Sequence, residues 1–156
     1  DCNRESPSVD GLLEGRAKYG LTDLLENPAD IGIGDIIYST GIPRLRAVPV
    51  GRRRDRPAEY FTTHRMKAFL EVTRRRYPDR YIVVDAPSME SSADPRILTD
   101  WCQYVILVLR YGEATRDELI EAIATFPREK FVGVIFNDFD LPAGADVGGD
   151  AGGART

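Results

Sequence analysis

Three stretches of the chain are apolar almost without interruption: "YIVVDA" (81–86), "YVILVLR" (104–110) and "FVGVIFN" (131–137). Hydrophobicity that runs on, rather than alternating, predicts strands covered on both faces, as in parallel sheets. A weaker run, "LRAVPV" (45–50), ends at Gly51 and reads as a fourth strand. Helical spacing fills the intervals. Over 58–77, Met66, Phe69, Leu70, Thr73 and Tyr77 fall on one face, with Arg65, Lys67, Glu71 and Arg75 on the other. Arg74, Arg75 and Arg76 close that helix, where cations suit the carboxyl-terminal dipole. Residues 115–126 open with a capping box of Thr115 and Glu118, bury Leu119, Ile123 and Phe126, and stop at Pro127. Asp94 followed by Pro95 starts a short helix through Trp101. The alternation predicts an α/β fold, a mostly parallel sheet flanked by helices with right-handed crossovers.

Composition narrows the classes. A chain of 156 residues with 42% hydrophobic content is one soluble domain's worth. We expect that domain to occupy 1–142, and the Gly/Ala/Asp-rich residues 143–156 to form a disordered tail. The net charge of −4 argues against a general nucleic-acid binder, which would carry a basic footprint. Cys2 and Cys102 are too few for a disulfide scaffold or a zinc site and point to a reducing cytoplasm. No apolar run approaches the roughly 20 residues of a membrane-spanning helix. The opening "DCNRESPSVDG" reads as a loop that follows a strand, so we expect an upstream segment to be missing.

In open α/β sheets, ligands bind beyond the carboxyl ends of the strands. Asp85 lies there, and Pro87 then ends the strand. A carboxylate in that place can hold Mg²⁺ directly or through water. It can equally cap the turn that contains Ser88 and Ser91. Asn137 ends the third apolar run, where its amide could read a base edge or serve as a turn residue in "NDFD". The loop "GRRRDR" (51–56) could chelate a phosphate, although such charge runs are more often solvated. Arg110 and Thr115 read as a rim charge and a helix cap. His64 is the only histidine, placed in mid-helix with no second ligand nearby, which argues against a metal site or a triad there. Nowhere does the chain contain Gly-x-x-x-x-Gly-Lys-Ser/Thr, so it carries no phosphate-cradling loop of its own.

In order and spacing, these pieces resemble the cytoplasmic domain of the bacterial tyrosine autokinases of exopolysaccharide and capsule export. Those proteins are P-loop ATPases related to the partitioning and septum-placement ATPases. The resemblance covers residues 1–140. It rests on "DCNRESPSVDGLLEG" at the second Walker-type motif, "GLTDLLEN", "GIPRLRAVPVG", "RPAEYFTTHRM", "YIVVDAPSM" at Walker B, "DPRILTDWCQYVILVLRYGEATRDEL" and "GVIFND". It implies that Asp1 helps hold Mg²⁺ or accepts the tyrosine's proton, that Asp85 is the Walker B carboxylate, and that Asn137 faces the adenine of ATP. It also implies a transmembrane polysaccharide chain-length regulator as partner, homo-oligomers, and a cytoplasmic place at the inner face of the membrane through that partner. The family pattern Asp-x-Asp-x-Arg-x-Pro is only partly kept, with Asn3 for the second Asp and Glu5 for the Arg. Losing one carboxylate and reversing one charge beside a triphosphate weakens the case for phosphoryl transfer, which depends on charge compensation. The tail also lacks the usual tyrosine cluster, since no tyrosine follows Tyr111. A non-catalytic regulatory module of the same assembly, or a partitioning-type ATPase, are therefore the alternatives.

Overall fold

Residues 1–3, 7–52, 59–89 and 94–138 are described by the computed structural model, and they fall into two units, Asp1–Tyr104 and Val105–Thr156. The tail expected at 143–156 and most of "GRRRDR" lie outside the described residues.

The first unit contains α1 (Leu21–Glu26), β1 (Tyr38–Ser39), β2 (Arg46–Ala47), α2 (Glu59–Thr62), α3 (His64–Arg76) and α4 (Asp94–Trp101). Its core joins Cys2, Leu21, Leu25, Phe61, Met66 and Leu98. A second cluster of Leu24, Ile31 and Ile36 shares Val48 and Phe69 with the first. Polar ties hold the helices in place. The Trp101 indole N–H donates to the Phe61 carbonyl at 2.8 Å. The Arg65 guanidinium donates to the Leu25 carbonyl at 2.7 Å, satisfying a carbonyl at the end of α1 that has no helical partner.

The amphipathic stretch expected at 58–77 is present, but it breaks at Thr63. That residue is extended (φ −77°, ψ 150°) and its side chain accepts the Met66 N–H, so it caps a new helix. His64 is therefore the exposed first residue of α3 rather than a mid-helix residue. The expected faces hold: Met66 is buried, Phe69, Leu70, Thr73 and Tyr77 are half-buried, and Arg65, Lys67, Glu71 and Arg75 are exposed.

Two expected strands change. In 45–50 only Arg46–Ala47 pairs, antiparallel to β1 with Ala47 opposite Tyr38. Pro49 has no N–H to give to a ladder. The carbonyls of Pro49 and Val50 instead accept the Leu21 and Thr22 N–H groups, each at 2.9 Å. Residues 81–86 form no strand ladder among the described residues. Tyr81 is 99% and Val83 86% exposed. The Asp85 carbonyl accepts one backbone bond, from the Cys2 N–H at 2.8 Å. An apolar run encodes fitness for a buried ladder but cannot supply the neighbouring strand.

The second unit is a β–α–β element: β3 (Val105–Arg110), α5 (Arg116–Ala124) and β4 (Phe131–Asn137). The two strands are parallel, with Val108 beside Ile135 and Arg110 beside Asn137, and a register irregularity follows Val105. The capping box forms as expected: Thr115 Oγ1 accepts the Glu118 N–H at 3.3 Å and the Glu118 carboxylate accepts the Thr115 N–H at 2.8 Å. These bonds from the Thr115 backbone and hydroxyl hold the Glu118 carboxyl below its ordinary range. Ile106, Val108 and Ile135, which share one sheet face, are exposed.

Replacing Phe61, which is 0% exposed, with alanine should cost about 3–5 kcal/mol in urea unfolding, through lost burial and a residual cavity. Val83→Ala should change stability by no more than ~0.5 kcal/mol. Comparable losses in the two variants would show that 81–84 is packed in solution.

Candidate functional site

The residues proposed for metal chemistry, Asp1 and Asp85, are far apart in sequence and adjacent in the fold. Cys2 joins them. Its N–H donates to the Asp85 carbonyl, and its side chain is buried in the core with Leu21, Leu25 and Phe61. The Asp1 main-chain nitrogen donates to the Val48 carbonyl at 2.7 Å, which fixes the start of this segment beside the 45–50 stretch.

The Asp1 carboxylate is oriented by backbone donors. Oδ1 accepts the Asn3 N–H at 2.8 Å and Oδ2 the Val9 N–H at 3.4 Å. Each oxygen keeps lone-pair capacity for a further partner. Asp85 is half-buried, and its carboxylate accepts no hydrogen bond from the described residues. Pro87, buried just beyond it, turns the chain. The turn-capping role that Ser91 could share lies outside the described residues.

Mg²⁺ in nucleotide sites is held by one or two carboxylates together with phosphate oxygens and waters. The Cys2–Asp85 backbone bond brings the main chain of Asp1 close to that of Asp85, and both residues carry the donor type that such a site uses. The described residues bring together no group of three or more His, Cys, Asp or Glu suited to a metal. A metal here would therefore draw its remaining ligands from phosphate and water.

Asn137 ends β4 in the second unit. It is exposed, and its carbonyl accepts the Tyr111 N–H at 2.9 Å. The neighbouring Asp138 adopts φ 55° and pairs with Arg110 at 3.4 Å, while Arg110 also reaches Glu113 at 3.5 Å. Arg110 is thus the rim charge expected, and Thr115 the helix cap. Sequence reasoning missed the part played by Cys2, because nothing in its spacing from Asp85 signals a backbone bond between them. It also missed Asp23, a buried carboxylate that accepts the Gly20 and Arg52 N–H groups at 2.9 and 3.3 Å.

Among solved structures, the fold resembles the VpsO kinase domain, with a TM-score of 0.79 and 22% identity over 90% of this chain and 68% of that one. The kinase domain of the Escherichia coli tyrosine kinase ETK gives a TM-score of 0.77 and 20% identity over 94% of this chain and 56% of the other. These likenesses show the α/β fold of such domains. The sequence is 31% identical over 120 residues to the tyrosine-protein kinase CpsD of Streptococcus agalactiae serotype III, covering 76% of this chain and 50% of the relative. It is 31% identical over 134 residues to CpsD of Streptococcus pneumoniae serotype 4, covering 84% and 57%. The putative tyrosine-protein kinase EpsB of Ralstonia solanacearum matches at 29% over 125 residues, 79% of this chain and 16% of the relative. No family model matches the chain. In sequence, the chain is similar to proteins named tyrosine-protein kinases. It spans about half the length of the CpsD relatives it matches.

Burial pushes the Cys2 thiol up to about 12, with Cys102, Asp85 and Asp94 adding to the rise against the opposing pull of the terminal ammonium. The thiolate is the reactive form, so Cys2 should stay inert through neutral and mildly alkaline pH. In the native protein at pH 8, a disulfide reagent should label the half-buried Cys102 well before Cys2. Both should react at once in urea. Equal native rates would contradict the burial of Cys2.

Proposed function

We propose that the chain is the Walker B-bearing part of an ATP-dependent tyrosine-kinase domain that acts in exopolysaccharide or capsule biosynthesis. The observation that supports this reading is the Cys2–Asp85 backbone bond, which brings the main chain of Asp1 close to that of Asp85 in a chain whose relatives are named tyrosine-protein kinases. Asp1 and Asp85 would hold Mg²⁺, which when bound neutralises charge on the triphosphate during transfer. Asp1, oriented by the Asn3 and Val9 N–H groups, would also take the proton of a tyrosine hydroxyl. In that reaction the phenol oxygen bonds to the terminal phosphorus, the bond from that phosphorus to the bridging oxygen breaks, and ADP leaves. Asn137 offers one donor and one acceptor to an adenine edge. No Gly-x-x-x-x-Gly-Lys-Ser/Thr occurs within these 156 residues, so they hold no loop of that type to cradle the phosphates.

None of the helices among the described residues is long and apolar enough to cross a membrane. Placement at the inner face of the membrane would come from a transmembrane chain-length regulator, with assembly into homo-oligomers. A second reading keeps the partner and drops the chemistry: Asn3 and Glu5 replace a carboxylate and a guanidinium of the family motif, which favours a regulatory module.

In the complete polypeptide that carries this chain, Asp85→Asn should lower ATP turnover by at least about 10²-fold, the scale of losing a metal-directed carboxylate. His64→Ala should leave it within about twofold. Equal losses would contradict the assignment, and absence of turnover in the unaltered protein would support the regulatory reading. Calorimetry on the 156-residue chain should show no Mg-ATP binding tighter than about millimolar that Asp85→Asn abolishes, because no loop beside that junction cradles the phosphates.

A further inference from the structure

The basic loop singled out in the sequence begins at Arg52, and Arg52 lines a cavity that the kinase reading does not use. The cavity is about 510 Å³ and lies between the 16–19 segment and the 49–52 turn. Arg16, Lys18 and Arg52 line it, together with Asp10 and Asp23. In a chain of net charge −4 this is a local excess of positive charge.

The walls are built from main chain. A Cβ on Gly20 would collide with the Gly51 nitrogen and Cα and with the Pro49 carbonyl. Gly51 has φ +91°, and a Cβ there would lie 2.7 Å from both Asp23 Oδ2 and Thr22 Oγ1. Only two glycines allow these segments to meet. Arg52 is then pinned at both ends of its peptide: its N–H donates to Asp23 at 3.3 Å and its carbonyl accepts the Thr22 hydroxyl at 3.1 Å. Lys18 is held from the other wall. The Tyr38 hydroxyl accepts the Lys18 and Tyr19 N–H groups, each at 3.1 Å, and has the Tyr19 and Asp35 carbonyls within 2.9 and 3.0 Å to receive its own proton. Lys18 Nζ lies 4.7 Å from the Tyr19 ring centroid, so the ring steadies the ammonium beside the cavity.

Asp23 does not oppose an anion as a free carboxylate would, since its Oδ2 already accepts two N–H groups. The main chain of Lys18 and of Arg52 is held at the cavity wall, and guanidiniums match phosphate oxygens in pairs. We propose that this cavity is a binding site for a phosphate group, distinct from the Asp1–Asp85 junction. The phosphate belongs either to a free phosphate or pyrophosphate or to the headgroup of an anionic phospholipid.

The test titrates the 156-residue chain with inorganic phosphate, with pyrophosphate, and with phosphatidylcholine vesicles with and without phosphatidic acid. Saturable binding of phosphate or pyrophosphate, with a dissociation constant near or below about 1 mM, identifies a soluble ligand. Binding only to vesicles that carry phosphatidic acid identifies a lipid phosphate. In either case Arg16→Ala/Lys18→Ala/Arg52→Ala should weaken binding by about tenfold or more, and raised salt should weaken it further. Lys67→Ala, on exposed α3 and paired with Glu71, and Asp85→Asn should leave it unchanged. No binding to any probe, or binding that survives the triple variant, overturns the proposal. Loss in Asp85→Asn as large as in the triple variant would place the ligand at the nucleotide junction and overturns it as well.

Discussion

One backbone hydrogen bond organises the candidate site: the Cys2 N–H on the Asp85 carbonyl at 2.8 Å. It ties the first residues of the chain to the end of an apolar run some eighty residues later. That bond brings the main chain of Asp1 close to that of Asp85, on which the proposed metal chemistry depends. Cys2 can serve as the tie because its side chain lies in the core with Leu21, Leu25, Phe61, Met66 and Leu98. Burial of an apolar cluster thus fixes a polar site, with Asp1 aimed by the Asn3 and Val9 N–H groups.

The same unit uses main-chain contacts for a second purpose. Where the Pro49 and Val50 carbonyls accept N–H groups from the start of α1, the strand that began at Arg46 ends and a turn through Gly51 begins. Glycine at 20 and 51 lets the backbones touch, and Asp23 and Thr22 then hold Arg52 by its peptide.

Local signals in the sequence carried most of the second unit. The apolar runs at 104–110 and 131–137, the Thr115–Glu118 box and Pro127 are all short-range features, and the parallel β3–α5–β4 element follows from them. Thr63 shows the limit of periodicity: the apolar face continues from 58 to 77, while one threonine side chain divides the helix. The run at 81–86 shows a deeper limit, since its composition is that of a buried strand and its exposure is not. Strand pairing is a property of two segments. The closeness of Asp1 and Asp85 was likewise visible only through resemblance to a family, and the cavity at Arg16, Lys18 and Arg52 was not visible at all. It arises from contacts between segments that no spacing rule encodes.

Cys2 anchors the Asp85-bearing segment at its end, while the residues preceding Asp85 form no ladder among the described residues. Amide hydrogen exchange on the monomeric 156-residue chain tests this directly. Residues 82–84 should exchange at rates close to those of an unprotected chain, whereas 107–110, paired with β4, should be slowed by orders of magnitude and the Cys2 amide should be protected. Strong protection of 82–84 in a demonstrated monomer, or an unprotected Cys2 amide, would contradict it.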